Sequence, residues 1–336
     1  MNLKGSIIEA IGSTPLVKLN KVIGNSYATV AVKLEYFNPG GSIKDRAALA
    51  MINTAEKDGL LRPGGTIVEA TSGNTGYAIA MVAAMRNYKA IIVCSESISK
   101  EKVETLKAFG AEVVMVPSGV PVNSPDHFLN TAKRLAKEID NAFFANQSFN
   151  PANPMGHYLT TGPEIWEQTS GKITSFVSSA GTGGTISGTG KYLKEKNANI
   201  EVVLADPVGS LYKQYFETGK IGEPIPYLVE AAGQNEPFIP ESFDPGIVDI
   251  AVSVNDQESF LMARRLASEE GIFCGISAGM IVHAAVQVAQ QKTKNDLIVA
   301  IVPDSGDKYL SRLYSNDWLK MNLPHLESSL DDIITY

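Results

Sequence analysis

The stretch TIVEATSGNTGYAIAMVAAMRNYKAIIVC, residues 66–94, contains one complete unit of the fold. It begins with the β-branched run TIVEA (66–70), passes through the glycine-containing turn TSGNTG (71–76) into a helical pattern, and ends with AIIVC (90–94). The two runs are mainly apolar and do not alternate strictly with polar residues, which is typical of parallel strands covered on both faces. The stretch therefore predicts a strand–helix–strand unit of a parallel sheet.

The same alternation of strand-like runs and helical patterns extends over most of the chain. Further strand-like runs are AEVVMV (111–116), TSFVSSA (174–180), EVVLA (201–205) and LIVAIV (297–302). Helical patterns cover residues 75–85, 100–109, 125–138, 184–196 and 256–270. This order predicts an α/β fold with two open, mostly parallel sheets that carry helices on both faces.

Length and composition exclude several classes of protein. A chain of 336 residues suits about two domains, and its net charge of -7 argues against a dedicated nucleic-acid surface. No run approaches the roughly 18 apolar residues of a membrane helix, and the N-terminal residues do not resemble a secretory signal. Two cysteines in apolar stretches and four scattered histidines predict a cytoplasmic protein with reduced thiols and no metal site.

Turns that follow strands are the places to look for a ligand, because in open α/β sheets ligands bind beyond the carboxyl ends of the strands. The turn TSGNTG offers hydroxyls from Thr71 and Ser72 and an amide from Asn74. The helix after it directs its positive end at the turn, which suits a carboxylate or a phosphate. A capped turn without a ligand would have the same composition.

A second turn, GTGGTISG (181–188), is a glycine-rich loop that opens a helix. It lacks the Gly-Lys-Ser/Thr ending of a nucleotide-binding P-loop, and Ile186 stands where a dinucleotide fingerprint has its third glycine. The loop therefore fits a phosphate monoester better than a nucleotide.

The segment NPGGSIKDR (38–46) places a lysine at the start of a predicted helix. Ser42 can cap that helix, and Asp45 three residues later would complete a capping box. The positive helix end and burial would both lower the pKa of Lys44 and so favour the neutral amine that imine formation needs. A lysine beside a cap can equally point into solvent. A fourth segment, PDSGDKYL (303–310), places Ser305 after the last strand-like run.

In this order the four segments resemble the fold type II pyridoxal-phosphate enzymes, in the branch of cysteine synthase and cystathionine β-synthase. The likeness runs from about Ile11 to Trp318, and it is closest to a cystathionine β-synthase catalytic core. It implies a fold similar to that of the tryptophan synthase β subunit, and a homodimer. It also implies a smaller mobile domain at residues 46–150, a larger cofactor-binding domain at 1–45 and 151–325, and a tail at 326–336.

The resemblance assigns roles to individual residues. Lys44 would hold pyridoxal 5'-phosphate as an imine and act as the general base. Asn74 would bind the ring hydroxyl, and Ser305 would meet the pyridine nitrogen. The phosphate would lie against Gly181, Thr182, Gly183, Gly184 and Thr185. The substrate carboxylate would lie against Thr71, Ser72, Thr75 and Gln147.

The reaction that the resemblance implies is β-replacement on serine or an O-activated serine through an α-aminoacrylate intermediate. A thiol acceptor would give cystathionine from homocysteine or cysteine from sulfide. An amine-adding diaminopropionate-type synthase and a serine/threonine dehydratase-like lyase remain alternatives. One segment departs from the family, because residues 230–236 read EAAGQNE where a Gly-Ile-Gly loop is usual.

Overall fold

The computed structural model describes residues 3–326 and shows an α/β protein built on two sheets. The strands are β1 Leu16–Lys18, β2 Thr29–Leu34, β3 Thr66–Ala70, β4 Lys89–Ser95, β5 Glu112–Val116, β6 Ala142–Phe144, β7 Ser175–Ser179, β8 Glu201–Pro207, β9 Ile250–Val254 and β10 Leu297–Val302. The predicted tail lies outside the described residues apart from Leu326.

The larger sheet has six strands in the order β1-β2-β10-β7-β8-β9. Only β1 is antiparallel to its neighbour, and the other strands run parallel. The last strand of the chain thus lies near the middle of the sheet, between β2 and β7. The turns that follow these three strands are brought side by side, although they are far apart in the sequence.

The smaller sheet has four parallel strands in the order β5-β4-β3-β6, all drawn from residues 66–144. Its strands form one continuous part of the chain, and the strands of the larger sheet come from both sides of that part. The predicted division at residues 46–150 stays a prediction.

Helices connect most of the strands. They are α1 Lys44–Lys57, α2 Asn74–Arg86, α3 Lys100–Ala108, α4 Phe128–Glu138, α5 Ala152–Leu159, α6 Thr161–Gln168, α7 Gly184–Lys196, α8 Leu211–Thr218, α9 Asp256–Glu270, α10 Ile276–Ala289 and α11 Asn316–Asn322. Among the described residues, no helix is both long and apolar enough to cross a bilayer.

Both faces of each sheet are covered by apolar packing. The larger sheet packs against α9 and α10 on one face and against α7 and α8 on the other. The smaller sheet packs against α1 and α2 on one face and against α4 on the other. This arrangement confirms the predicted fold class, and it explains why the strands are apolar on both faces.

The predicted capping box before α1 is wrong. The helix begins at Lys44, and the Ser42 hydroxyl accepts only from the Lys44 backbone N–H, at 3.2 Å. The Asp45 carboxylate instead accepts from the backbone N–H of Gly40, at 2.5 Å. The box does not form because the Asp45 carboxylate is turned to Gly40, while Ser42 pairs with Asp304 after β10 and ties the turn to the larger sheet.

Candidate active site

Three turns meet at one edge of the larger sheet, beyond the carboxyl ends of β2, β10 and β7. The turn after β2 leads to Lys44, the turn after β10 contains Ser305, and the turn after β7 is the loop 181–184. The backbone N–H of Ile43 donates to the carbonyl of Pro303 at 2.9 Å. The first two turns are therefore held together by backbone contacts.

The turns of the smaller sheet also meet, because β3 and β6 are neighbours. Thr75, in the first turn of α2, donates from Oγ1 to Oε1 of Gln147 at 2.6 Å. The backbone N–H of Gln147 contacts the buried carboxyl of Glu69 at 3.3 Å. Two of the predicted substrate-binding residues are thus in direct contact.

Two amide side chains connect these turns to the larger sheet. Asn74 donates from Nδ2 to Oδ2 of Asp304 at 2.7 Å. Asn153 donates from Nδ2 to the carbonyl of Gln147 and to Oγ1 of Thr182, both at 2.9 Å. The predicted carboxylate turn and the predicted phosphate loop therefore share the Asn153 amide.

A cavity lies where the turns of the larger sheet meet. Its lining includes Lys44 and four of the five predicted phosphate-loop residues; Gly184 does not line it. The residues that line it are Ile43, Lys44, Ser178, Ser179, Gly181, Thr182, Gly183, Thr185, Ala231, Ile301 and Pro303. No carboxylate is among them, so the cavity suits an anion beside an amine.

The glycine-rich loop presents the start of α7 to this cavity. Gly183 has a φ of 87°, and a Cβ atom there would run into Phe243, so the position requires glycine. The N-cap residue Gly183 has no side chain, and the Gly184 N–H makes only a long contact with Thr182 Oγ1, at 3.5 Å. The start of α7 therefore offers backbone N–H groups to an anion, and Thr182 and Thr185 add hydroxyls. This is the chemistry of a phosphate-binding loop.

A buried histidine contacts Thr185 at the end of that loop. His157 lies with Nδ1 2.9 Å from Oγ1 of Thr161 and Nε2 3.3 Å from Oγ1 of Thr185. Burial lowers the pKa of His157 well below its usual range, and the charges of Arg46 and Lys44 act in the same direction. The imidazole is therefore neutral and orients a hydroxyl without adding charge.

Lys44 is the first residue of α1, and its side chain is partly buried in the cavity. Burial lowers its pKa, and the carboxylate of Asp304 opposes that shift. This lowering of the pKa of Lys44 agrees with the expectation from the sequence. A larger fraction of Lys44 is therefore neutral than for a lysine in water, as a nucleophilic amine requires.

The other predicted residues are not among those that line this cavity: Asn74, Ser305, Thr71, Ser72, Thr75 and Gln147. Thr71 is buried, and its hydroxyl accepts from the backbone N–H of Gly73 at 3.2 Å, while Ser72 is exposed. Ser305 is partly buried and pairs with Cys274 through its backbone. In the described part of the chain its hydroxyl makes no hydrogen bond, which leaves it available to a ligand.

Sequence reasoning did not single out several polar residues that the site contains. Asp304 and Lys308 contact Asn74, and Asn153 contacts both Gln147 and Thr182. Asp304 and Lys308 lie inside the segment 303–310, which drew attention for Ser305. Burial distinguishes Asn153 and Asp304 from ordinary polar residues of a turn, and a sequence does not show burial directly. Asn153 is 2% exposed and Asp304 is fully buried.

The segment that departs from the family pattern crosses the mouth of the cavity. Ala231 lines the cavity with a φ of 62°, a conformation that favours glycine. The backbone N–H of Gly233 donates to the carbonyl of Ala180 at 2.7 Å. Beside them, the Glu230 carboxylate binds Lys102 at 3.0 Å and Arg312 at 2.6 Å.

Similarity to known proteins agrees with this geometry. Cystathionine β-synthase of Apis mellifera is 43% identical over 318 residues, which are 94% of this chain and 62% of that protein. Cysteine synthase of Staphylococcus aureus is 44% identical over 315 residues, which are 93% of this chain and 97% of that protein. The chain thus spans about three fifths of the cystathionine β-synthase and nearly all of the cysteine synthase.

Two solved structures have the same fold. A hydrogen sulfide-producing enzyme from Fusobacterium nucleatum matches with a TM-score of 0.84 and 38% identity, over 92% of this chain and 100% of that one. O-ureido-L-serine synthase matches with a TM-score of 0.84 and 37% identity, over 94% of this chain and 99% of that one. A family model described as pyridoxal-phosphate dependent enzyme matches residues 7–304, which span both sheets and the cavity. The chain belongs to this family of pyridoxal-phosphate dependent enzymes.

Proposed function

We propose that this protein catalyses β-replacement on serine or an O-activated serine, with pyridoxal phosphate as cofactor and a thiol as acceptor. The observation that carries the proposal is the cavity that holds the Lys44 amine next to the helix start at residues 181–185. Homocysteine as acceptor would give cystathionine, and sulfide would give cysteine.

The residues of the cavity fit this cofactor. Its aldehyde requires an amine of lowered pKa, which Lys44 provides. Its phosphate requires clustered donors without a carboxylate, which the 181–185 loop provides. Asn74 and Ser305 would bind the ring oxygen and the pyridine nitrogen. When bound, the cofactor supplies an electron-withdrawing ring that eases the breaking of bonds at the α- and β-carbons of an amino acid.

Lys44 would also serve as the general base once the substrate amine has taken its place on the cofactor. A neutral lysine amine at the cavity wall can accept the proton from the α-carbon and return it later. The lowered pKa of Lys44 favours the first of these steps. The nearby Asp304 carboxylate stabilises the ammonium that results.

Thr71, Ser72, Thr75 and Gln147 would hold the carboxylate of the substrate. The start of α2 supplies backbone N–H groups at this place. Because Oε1 of Gln147 already accepts from Thr75, the amide group of Gln147 presents its Nε2 donors to a ligand. An anionic group requires hydrogen-bond donors and no carboxylate that would repel it.

Ser305 would direct the reaction towards loss of the β-substituent. A serine hydroxyl cannot keep the pyridine nitrogen protonated as an aspartate would. The ring is then a weaker electron sink, so charge stays near the α-carbon, which favours prompt departure of the leaving group over transamination. The free Ser305 hydroxyl is consistent with this role.

The identity of the acceptor follows from the relatives and not from the geometry. Two groups of relatives carry the names cystathionine β-synthase and cysteine synthase, and both names imply sulfur in the product. A homodimer, a cytoplasmic location and a smaller substrate-binding domain at residues 46–150 belong to the same proposal. They rest on resemblance to the family.

The proposal is tested by product analysis with the purified protein loaded with cofactor. Serine, O-acetylserine and O-phosphoserine are each incubated with sulfide, homocysteine, cysteine or an amine donor, and the products are identified by mass. A sulfur-containing product that needs both reactants is expected. Pyruvate release at a rate independent of every acceptor would show a lyase instead, and exclusive use of the amine would show a diaminopropionate-type synthase.

A further inference from the structure

Two charged side chains hold the amide of Asn74 from opposite ends. Lys308 donates from Nζ to Oδ1 of Asn74 at 2.7 Å. Asp304 accepts from Nδ2 of the same amide at 2.7 Å, through its Oδ2 atom. The three residues come from two turns, one after β3 and one after β10.

These contacts leave the amide only one stable orientation. If the amide of Asn74 were turned over, its NH₂ group would face the Lys308 ammonium and its oxygen would face the Asp304 carboxylate. Both contacts would then be repulsive where both are now charge-assisted hydrogen bonds. The oxygen of Asn74 is therefore committed to Lys308, and one N–H of the amide remains for a ligand.

The lysine itself is held by the turn that precedes α1. Its Nζ also donates to the carbonyls of Gly41 at 3.1 Å and Gly40 at 3.4 Å. Together with Asn74 these acceptors match the three N–H donors of an ammonium group. Its Nζ lies 5.4 Å from the centre of the Tyr77 ring.

Burial lowers the pKa of Lys308, and the charge of Lys102 acts in the same direction. The charges of Asp304, Asp307 and Asp45 oppose that shift and favour the ammonium. Asp304 in turn accepts a second hydrogen bond, from the Tyr309 hydroxyl at 2.7 Å. Asp304 therefore contacts too many groups for its replacement to be informative, and Lys308 is the residue to vary.

We propose that Lys308 is a positioning residue that, with Asp304, fixes Asn74 as a hydrogen-bond donor to the ring oxygen of the cofactor. The inference rests on the proposed function, because it takes Asn74 as the partner of that oxygen. The ring oxygen is stabilised as an anion by a fixed N–H donor whose amide is polarised by the ammonium. Without Lys308 only the Asp304 contact opposes a turned amide that would present its own oxygen to the anion.

The test is a double-mutant cycle of Lys308→Met and Asn74→Ala, read on cofactor binding and not on turnover. The readouts are the dissociation constant of pyridoxal phosphate and the pH midpoint at which the visible absorbance of the bound cofactor is lost. We expect Lys308→Met to weaken binding by about tenfold, or about 1.4 kcal/mol, and to shift the midpoint. In the Asn74→Ala background the same substitution should change neither quantity.

Two further variants separate positioning from a general effect on structure or charge. Lys308→Arg keeps a cationic donor and should restore most of the binding lost in Lys308→Met. Lys57→Met removes an exposed lysine at the end of α1, and it should leave the absorbance and its pH midpoint unchanged. Thermal unfolding of the cofactor-free variants checks that each is folded.

Additive effects of Lys308→Met and Asn74→Ala, or an unchanged midpoint in Lys308→Met, would overturn the positioning role while the proposed function stands. A protein that binds no pyridoxal phosphate, or that keeps its imine absorbance in Lys44→Ala, would instead overturn the proposed function. The two failures are therefore distinguishable.

Discussion

Thr75 donates a hydrogen bond to Oε1 of Gln147 over 2.6 Å, and this contact joins the turns after two neighbouring strands of the smaller sheet. It sets which end of the Gln147 amide is left for a ligand. The remaining Nε2 donors are the basis of the first prediction.

Gln147→Glu should weaken binding of the amino-acid substrate. A carboxylate replaces the donors that would face the substrate carboxylate, so attraction becomes repulsion between like charges. We expect KM for serine or its activated form to rise by about tenfold or more, or about 1.4 kcal/mol. The absorbance of the bound cofactor should not change. Gln291→Glu, an exposed position, is the control; an unaltered KM in Gln147→Glu would contradict the role of this residue.

Lys44→Ala should give a folded, colourless and inactive protein. The substitution removes the amine that would bond to the cofactor and accept the α-proton. Visible absorbance, turnover and the unfolding midpoint are the measurements. Lys57→Ala, at the exposed end of the same helix, should keep its colour. Retained imine absorbance in Lys44→Ala would refute the assignment of Lys44.

Ser305→Asp should slow loss of the β-substituent. An aspartate would hold the pyridine nitrogen protonated, make the ring a stronger electron sink and spread charge away from the α-carbon. We expect turnover to fall by about tenfold, equivalent to about 1.4 kcal/mol in the barrier. Ser305→Ala also leaves the pyridine nitrogen unprotonated, so its turnover should fall by less than that of Ser305→Asp. Equal rates for native protein and Ser305→Asp would count against the electron-sink explanation.

Glu69→Gln should change how stability depends on pH. Burial raises the pKa of Glu69 from 4.5 to about 8, against backbone hydrogen bonds that lower it. The folded state therefore keeps a proton that the unfolded chain loses. The stabilisation from this group is complete below pH ~4.5 and is lost as pH rises through about 8.

Denaturant unfolding of the native protein and of Glu69→Gln, between pH ~4.5 and about 8, measures how much Glu69 contributes to stability at each pH. The free energy of unfolding of the native protein, relative to that of the variant, should fall with pH by at most about 1.4 kcal/mol per unit. Glutamine keeps an oxygen that can accept from Gln147, so the fold should survive. Parallel stability curves from pH ~5 to about 8 would show that folding does not raise the pKa of Glu69.

Ala231→Gly should shift the choice of acceptor. Ala231 lines the cavity beside the loop 181–183, and glycine adopts the same backbone conformation with less strain. Removing the methyl should favour a larger thiol over sulfide by about tenfold in kcat/KM, the usual value of one methyl group in a pocket. Ala232→Gly, a buried neighbour outside the cavity lining, is the control. An unchanged acceptor ratio would mean that the methyl does not restrict the site.

Much of the fold could be predicted from sequence because its strands have a strong local signal. The run TIVEA is β3 with the predicted bounds, and LIVAIV is β10. Buried parallel strands are apolar throughout, so they stand out without any alignment. The order of strands in the larger sheet could not be predicted, because β10 pairs with β2 and β7 across more than a hundred residues.

The candidate site was predictable where function needs glycine or a reactive side chain in a turn. Lys44 and Gly183 are of this kind, and they line the same cavity. Asp304 and Lys308 were not, since a charged residue in a turn normally lies in solvent. The pairing of Ser42 with Asp304 and the bond from Ile43 to Pro303 show that this turn packs against the segment before α1.

The position of β10 between β2 and β7 also bears on how the protein is made. The smaller sheet is continuous in sequence and can form while the ribosome is still translating the second half of the chain. The larger sheet cannot close until residues 297–302 have emerged, because its centre would otherwise be missing. A nascent chain therefore cannot capture its cofactor before residues 297–302 have left the ribosome.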